Sequence, residues 1–371
     1  MKIGLAYDLK SAVPVALGTP DEEAEEYDPP STIDALASEI ERLGHQLARL
    51  GGGPEFLKNV GHTAVDFVFN IAEGRGIYRS REAQIPGVLE MLGIPYFGSD
   101  PLTLGICLDK PSAKLVALSA GVLTPQYHVV RQIDELSALR KEAVDFPLVV
   151  KPAFEGSSKG VHPTSLVDNW DDLYQAVETA LEAYRQPALV EEFVPGTEVT
   201  VGLLGNNPPR VLGVMEVVPQ SGPDDNFMYT LEVKRDWRNL VSYRVPPALP
   251  AGCVREIEAT ALTLFAALGC RDVARMDFRI ARNGNVYFLE ANPLPGLGDY
   301  SDLPIMASIV GRDYSWLIEN LLNSALERCG LSPGVCRRDG GLGVSPRFNL
   351  HPLPGQEGGR GMVEEGFAAP S

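Results

Sequence analysis

The 371-residue sequence predicts an α/β fold. Three observations point there. Short β-branched and aromatic runs alternate with stretches of helical periodicity from the N-terminus onward. Hydrophobic residues make up 44% of the chain, enough for a real core and too much for global disorder. Late in the chain Asn283-Gly284 separates two apolar runs, which is a hairpin signal. The alternation implies a mostly parallel sheet covered by helices, with ligands beyond the C-terminal ends of its strands.

The elements follow in order. Residues 1–7 form a first strand. Residues 31–43 carry Ile33, Leu36, Ala37, Ile40 and Leu43 at helical spacing, with Ser31 as N-cap and Gly44 as the stop. Residues 65–71 are a second strand, and 82–92 a helix closed by Gly93. The ligand-facing strand ends are then Tyr7-Asp8 and Asn70-Ile71-Ala72-Glu73. The acidic run 21–28 between the first strand and first helix reads as a solvated loop. A second unit starts near Asp109, with a helix at 110–120, a strand at 146–152, a Gly/Ser loop at 155–160, a helix at 171–184 and a strand at 188–193. A third runs from about 198 to 329. It has an Asp/Pro-rich loop near 219–226, a long helix at 254–268, the paired strands 273–280 and 285–291, and a final helix at 314–329. The Gly-, Pro- and Arg-rich tail after Gly330 is expected to be loosely attached. The division expected is 1–108, 109–196, 197–330 and a tail, 331–371.

Charge and composition narrow the function. Lys plus Arg number 32 against 49 Asp plus Glu, a net charge of −17, so a nucleic-acid partner is not expected. No window reaches the roughly 20 apolar residues of a membrane span, and the first strand is too short for a secretory signal. Five cysteines form no CxxC pair and read as reduced thiols of a cytoplasmic protein. The five histidines stand alone without metal-ligand spacing.

The chemistry is concentrated in three places. In Ala274-Arg275-Met276-Asp277-Phe278 and Phe288-Leu289-Glu290-Ala291-Asn292, residues two apart face the same side of a strand. The hairpin brings Asp277, Glu290 and Asn292 together with the guanidinium of Arg275. Hard oxygen ligands of this kind suit Mg²⁺. Lys151 ends a strand before Glu155-Gly156-Ser157-Ser158-Lys159-Gly160, a loop able to offer N–H groups to phosphate, although a plain β-turn accounts for it equally. It is not a P-loop. Glu191-Glu192-Phe193-Val194, with Glu198 beyond, has the form of an adenine-reading strand end and a ribose carboxylate; an acidic edge strand fits as well.

Together these motifs resemble the ATP-grasp superfamily and, within it, the D-alanine–D-alanine ligase-like group. The resemblance covers residues 66–328 and rests on Gly98-Ser99-Asp100, Asp109-Lys110, Val150-Lys151-Pro152, Glu155-Gly156-Ser157-Ser158, residues 190–200, Arg275-Met276-Asp277 and residues 290–296. It implies three α/β units, the first a parallel-sheet domain preceding the ATP-grasp pair, with ATP held between the second and third. It implies that ATP phosphorylates a carboxylate and that an amine attacks the acyl phosphate. Lys110 and Lys151 resemble the ATP-phosphate lysines. Ser158 belongs to the phosphate loop, Glu191, Glu192, Phe193 and Val194 to the adenine hinge, and Glu198 to the ribose. Lys234 resembles the lysine of the loop closing over ATP, here 219–238. Asp277, Glu290 and Asn292 match ligands of Mg²⁺ or Mn²⁺. Arg275 and the N–H of Gly296 resemble an oxyanion hole, and Ser301 the serine holding the second substrate's carboxylate. Ser157 matches a serine that works with a glutamate and a lid tyrosine on the first substrate. The partners implied are a small carboxylate donor, an amino-acid acceptor and a second copy of the chain, since family members are often dimers.

Departures cluster around the first substrate. The turn after the first strand, 7–13, has no matching glutamate. The residue after Lys234 is Arg235, not tyrosine. A family His-Gly-x-x-Gly-Glu-Asp-Gly stretch is replaced by residues 70–82. Glu73, Arg79, Arg81 and Glu82 are therefore expected to read a donor other than D-alanine, the arginines suiting an extra carboxylate or phosphate, although surface charges flanking the following helix account for Arg79 and Arg81 equally. The alternatives are an authentic D-alanine–D-alanine ligase and a non-catalytic ATP-binding module.

Overall fold

Three separate β-sheets organise the chain in the computed structural model, which describes residues 1–12, 22–142, 144–222 and 224–331. The first sheet is parallel, in the order β2-β1-β3, with β1 at Lys2–Ala6, β2 at Gln46–Gly51 and β3 at Phe67–Asn70. Helix α1, Pro30–Arg42, buries Ile33, Leu36, Ala37 and Ile40. Its N-cap is Pro29 rather than Ser31, which lies inside the first turn. Pro30 fits there because the first helical N–H has no intrahelical acceptor anyway. Gly44 ends the helix at φ +84°, as expected. Strand β2 and the following helix α2, Gly53–His62, were not legible. β2 is an edge strand whose first four residues are not buried, so it shows little apolar alternation.

The predicted helix at 82–92 opens as a 3-10 turn, Arg81–Ala83, and continues as α3, Gln84–Leu92, to a left-handed Gly93. Helices α4, Pro101–Leu108, and α5, Lys110–Ser119, follow back to back. Asp100 and Asp109 cap them, accepting from Thr103 N at 2.9 Å and Ser112 N at 3.0 Å.

The second sheet runs β4-β7-β5-β6, with β4 at Tyr127–Val130, β5 at Leu148–Pro152, β6 at Leu166–Val167 and β7 at Ala188–Glu192. The short helix α6, Leu136–Leu139, and α7, Trp170–Ala183, pack against it. The third sheet runs β10-β9-β8-β11-β12, with β8 at Gly196–Leu204, β9 at Arg210–Pro219, β10 at Val241–Arg244, β11 at Val273–Ala281 and β12 at Val286–Asn292. Both sheets are antiparallel, so the expectation of mostly parallel strands holds only for the first. Short turns such as the one at Gly284, φ +88°, permit this without crossover helices.

Two short helices, α8 at Leu231–Arg235 and α9 at Trp237–Leu240, lie between β9 and β10. Helix α10, Ala251–Leu268, buries Ile257, Ala261, Leu264, Phe265 and Leu268 in one core with β8 and β11. Helices α11, Asp302–Ile309, and α12, Tyr314–Arg328, complete the described chain. Leu317, Ile318, Leu321 and Leu322 of α12 share a core with Ile33, Leu36 and Phe67, so the last helix closes the face of the first sheet. Each of these fully buried side chains contributes about 2 kcal/mol of apolar transfer energy.

The acidic run departs from expectation. Glu22 is 2% exposed and accepts from Gly160 N at 2.8 Å. Glu26 is also buried, its carboxylate 2.7 Å from Arg81 and 3.0 Å from Lys159. What reads locally as a solvated loop is an interior strut, because its cationic partners come from far along the chain. Gly74 belongs to the same packing. At φ +83°, a side chain there would run into the carbonyl of Arg81.

No helix among the described residues is long and apolar enough to cross a membrane. Cys107, Cys253, Cys270 and Cys329 are free thiols. The tail expected after Gly330 lies, from residue 332 and including Cys336, outside the described residues, as does Val13 of the first turn.

Candidate active site

The second and third sheets enclose a cavity of about 120 Å³. Lys151 enters it from the end of β5 and Lys110 from the first turn of α5. Lys110 Nζ stands 3.0 Å from Glu290 Oε2 and also meets the carbonyl of Glu155. Lys151 Nζ lies 2.5 Å from Glu191 Oε2, and Lys114 Nζ meets the other oxygen of that carboxylate. Burial alone would raise the Glu191 carboxyl, but Lys114 and Lys151 outweigh it and hold it below the usual carboxylate range. Burial lowers Lys114 to about 8. The Glu191 side chain is thus committed inward, between two lysines.

Glu192, Phe193 and Val194 continue along the cavity wall. Opposite them Arg279 gathers several groups. Its Nε donates to the Val194 carbonyl at 2.6 Å, Nη1 to Glu198 at 3.0 Å and Nη2 to the Asp225 carbonyl at 3.0 Å. Its guanidinium also stacks over the ring of Phe193, 4.6 Å from the centroid. The sequence reading missed Arg279. The signal was present, since Arg275, Asp277 and Arg279 repeat with the period of one strand face.

The cross-strand register pairs Asp277 with Glu290 and Arg275 with Asn292. Asp277 accepts from Arg275 Nε at 3.1 Å and Nη2 at 2.9 Å, and from the Thr200 hydroxyl. Asn292 Nδ2 lies 3.4 Å from Asp277 Oδ2. Arg275 reaches Glu290 at 3.7 Å and Asp302 at 3.0 Å. Burial would raise Glu290, yet Lys110, Lys151 and Arg275 depress it well below the ordinary range, so it is ionised. Burial raises Asp277 despite the neighbouring Arg275. Among the described residues no group of three His, Cys, Asp or Glu side chains gathers as a metal site. The expected set has two carboxylates and an amide. Its oxygen chemistry fits a hard divalent cation, which Asp277, Glu290 and Asn292 would hold.

The segment expected to act as a lid borders this cavity. Met228, Tyr229 and Lys234 line it, Lys234 Nζ lying 5.2 Å from the Tyr229 ring centre. Ser158 anchors the lid, donating to the Tyr229 carbonyl at 3.1 Å. Ser157 and Ser158 both take left-handed backbone, φ +52° and +58°. That arrangement presses the Gly/Ser loop against both cavities.

A second cavity, about 100 Å³, adjoins the first at Lys110, Arg275 and Glu290. Its wall includes Glu73, Glu82, Ser157, Gly296 and Ser301. Gly296 touches Ser301 closely: a Cβ there would lie 2.8 Å from Ser301 Oγ. Two expectations are corrected here. Arg81 does not face the cavity; it is 1% exposed and spent on Glu26, Glu155 and the Phe154 carbonyl. Arg79 is largely exposed and pairs with Asp109 at 3.1 Å. Neither arginine forms an anion-reading wall, because both pair with carboxylates supplied by other parts of the chain. A glutamate does stand at this cavity, from another part of the chain than the turn at 7–13. Glu25, from the acidic run, lines the same cavity as Ser157 and meets Arg235 at 2.8 Å.

The fold and the paired cavities define an ATP-grasp protein. Residues 116–323 match the family model described as D-ala D-ala ligase C-terminus. The D-alanine–D-alanine ligase of Pelotomaculum thermopropionicum is 31% identical over 81% of this chain and 92% of its own length. An uncharacterized protein of Sinorhizobium fredii, y4sG, is 34% identical over 80% of this chain and 87% of its own. The crystal structure of the D-alanine–D-alanine ligase from Bacillus anthracis matches with a TM-score of 0.69 and 25% identity, covering 88% of this chain and 98% of that one. The chain belongs to the D-alanine–D-alanine ligase family and is a carbon–nitrogen ligase.

Proposed function

We propose that the protein uses ATP to join a carboxylate donor to an amino-acid acceptor, the donor being other than D-alanine. The observation that carries the ligase chemistry is the convergence of Lys110, Lys151 and Arg275 with Asp277, Glu290 and Asn292 where the two cavities meet. A related fold, the ligase of Bacillus anthracis, has been solved in complex with ATP.

In this reading the first cavity takes the nucleotide. Glu192, Phe193 and Val194 face its base, Glu198 its ribose, and Lys110, Lys151, Ser158 and Lys234 its phosphates. A donor carboxylate oxygen attacks the γ-phosphorus, and the bond to the β–γ bridging oxygen breaks. ADP leaves with that electron pair. The lysines hold reactants in line and spread the charge. Bound Mg²⁺ or Mn²⁺ would neutralise phosphate charge. The acceptor amine, having lost its ammonium proton, then attacks the acyl carbon. Arg275 and the Gly296 N–H donate to the developing oxyanion, phosphate departs, and the nitrogen gives up a second proton. Ser301 and Arg275 hold the acceptor carboxylate. The covering lid keeps water from the acyl phosphate.

Two features support a donor different from D-alanine: residues 70–82 replace the family stretch, and Arg235 stands where tyrosine is expected. One observation favours the second reading, an authentic D-alanine–D-alanine ligase: Glu25 lies in the cavity with Ser157, able to take a donor ammonium.

Phosphate release with ATP and Mg²⁺, measured across single D- and L-amino acids and pairs with product masses recorded, tests this. Release with another pair and none with D-alanine supports the first reading. D-alanyl-D-alanine from D-alanine alone supports the second. ATP binding without release from any pair would overturn both.

A further inference from the structure

The second cavity is lined by more carboxyl groups than a donor with one amino group can answer. Glu25 lies at its edge, engaged with Arg235. Glu73 and Glu82 line its interior, Glu82 only 9% exposed. Among the described residues neither of these two side chains makes a hydrogen bond or ion pair, and both line the cavity. The nearest guanidinium, Arg81, is turned away into Glu26 and Glu155. Burial pushes both carboxyls upward, Glu82 to about 7, with repulsion from Glu82 and Glu26 adding at Glu73 and from Glu26 at Glu82, against the pull of Arg81 on both and of Lys110 and Lys159 on Glu82. Buried carboxylates without a partner are costly, and a site that leaves them open is shaped for a cation.

The orientation of a donor follows from the other groups. Its reacting carboxylate belongs where Lys110 and Arg275 border both cavities. Its α-ammonium can be met by Glu25 near Ser157. A donor like alanine would leave Glu73 and Glu82 facing nothing. Resting on the ligase reading above, we infer that the donor is an amino acid carrying a second positive charge on its side chain, which Glu73 and Glu82 bind. This corrects the expectation of an anionic donor, since the arginines that suggested it do not reach the cavity.

The test compares donors matched in shape and differing in charge. Lysine and ornithine are set against norleucine, alanine and glutamate, each as both enantiomers, with glycine and D- and L-alanine supplied as acceptors and products read by mass. The expected result is kcat/KM for lysine or ornithine at least about tenfold above norleucine, as charge-assisted hydrogen bonds provide. Glu73→Gln or Glu82→Gln should each shrink that ratio about fivefold or more, with the thermal shift on adding ATP and Mg²⁺ showing that the variants are folded. Equal or better use of norleucine or alanine by the unaltered protein overturns the inference and leaves the ligase reading standing. So does a ratio that neither variant changes. ATP binding without phosphate release from any donor overturns both.

Discussion

Arg279 faces Glu198 from the directly paired position on the neighbouring strand, with Nη1 3.0 Å from Oε2. The same guanidinium holds the Val194 carbonyl and the carbonyl of Asp225 at the foot of the lid. The segment after β7, Glu198 and the segment before α8 are thereby tied together by one residue. It acts as a positioning group. Arg279→Met is expected to raise KM for ATP about tenfold or more while lowering kcat much less. Arg279→Lys should recover only part of that, since an ammonium cannot span three acceptors in one plane. Initial-rate kinetics with varied ATP give the split.

Lys110 stands between the two cavities, 3.0 Å from Glu290. If it neutralises the transferred phosphoryl group, Lys110→Met should reduce kcat about 100-fold, the scale of losing one preorganised electrostatic donor. Phosphate release under saturating ATP and donor measures it. A loss under threefold would remove Lys110 from the phosphoryl path.

Arg81 is 1% exposed and bonded to Glu26 and Glu155. Removing one partner of a buried ion pair costs about 3–5 kcal/mol because the remaining charge stays buried. Arg81→Met should therefore lower the melting temperature markedly, and the double variant Arg81→Met with Glu26→Gln should recover part of the loss. Thermal unfolding of the two variants side by side decides it.

The second cavity also makes a pH prediction. Burial raises Glu82 and Asp28 each to about 7, and raises Glu73 as well. Between roughly pH 4.5 and 7 the folded protein then binds more protons at these groups than the unfolded chain does. Their contribution therefore makes stability fall as pH rises through that window, and return as pH drops. The ligand-free protein should melt higher at pH 5.5 than at pH 7.5, and Glu82→Gln should flatten the difference. Bound cationic donor should flatten it too.

The sequence disclosed much of the site and less of its surroundings. Asp277, Glu290 and Asn292 were legible because strand periodicity and an Asn-Gly turn fix which residues face each other. Lys110, Lys151 and the 191–198 segment were legible as ordered motifs. Arg79 and Arg81 were not. Local sequence places them near the donor cavity but cannot say which way a guanidinium turns, and their partners Asp109, Glu26 and Glu155 lie 30 to 74 residues away. The acidic run failed for the same reason. Its charge density argued for water, while the cations that bury it come from Arg81 and Lys159. Most of the longer helices and strands followed local periodicity; β2, where an edge position erased the pattern, and the helices α2 and α4 did not.

Glu22 and Glu26 bond to Gly160, Lys159 and Arg81. Residues 22–28 and 155–160 are thus one built object, though more than a hundred positions separate them. Anyone grafting a new donor preference onto this scaffold would have to transplant both segments as a matched set. A loop borrowed alone would bring carboxylates without their sockets, and would unseat the glycine–serine turn they hold.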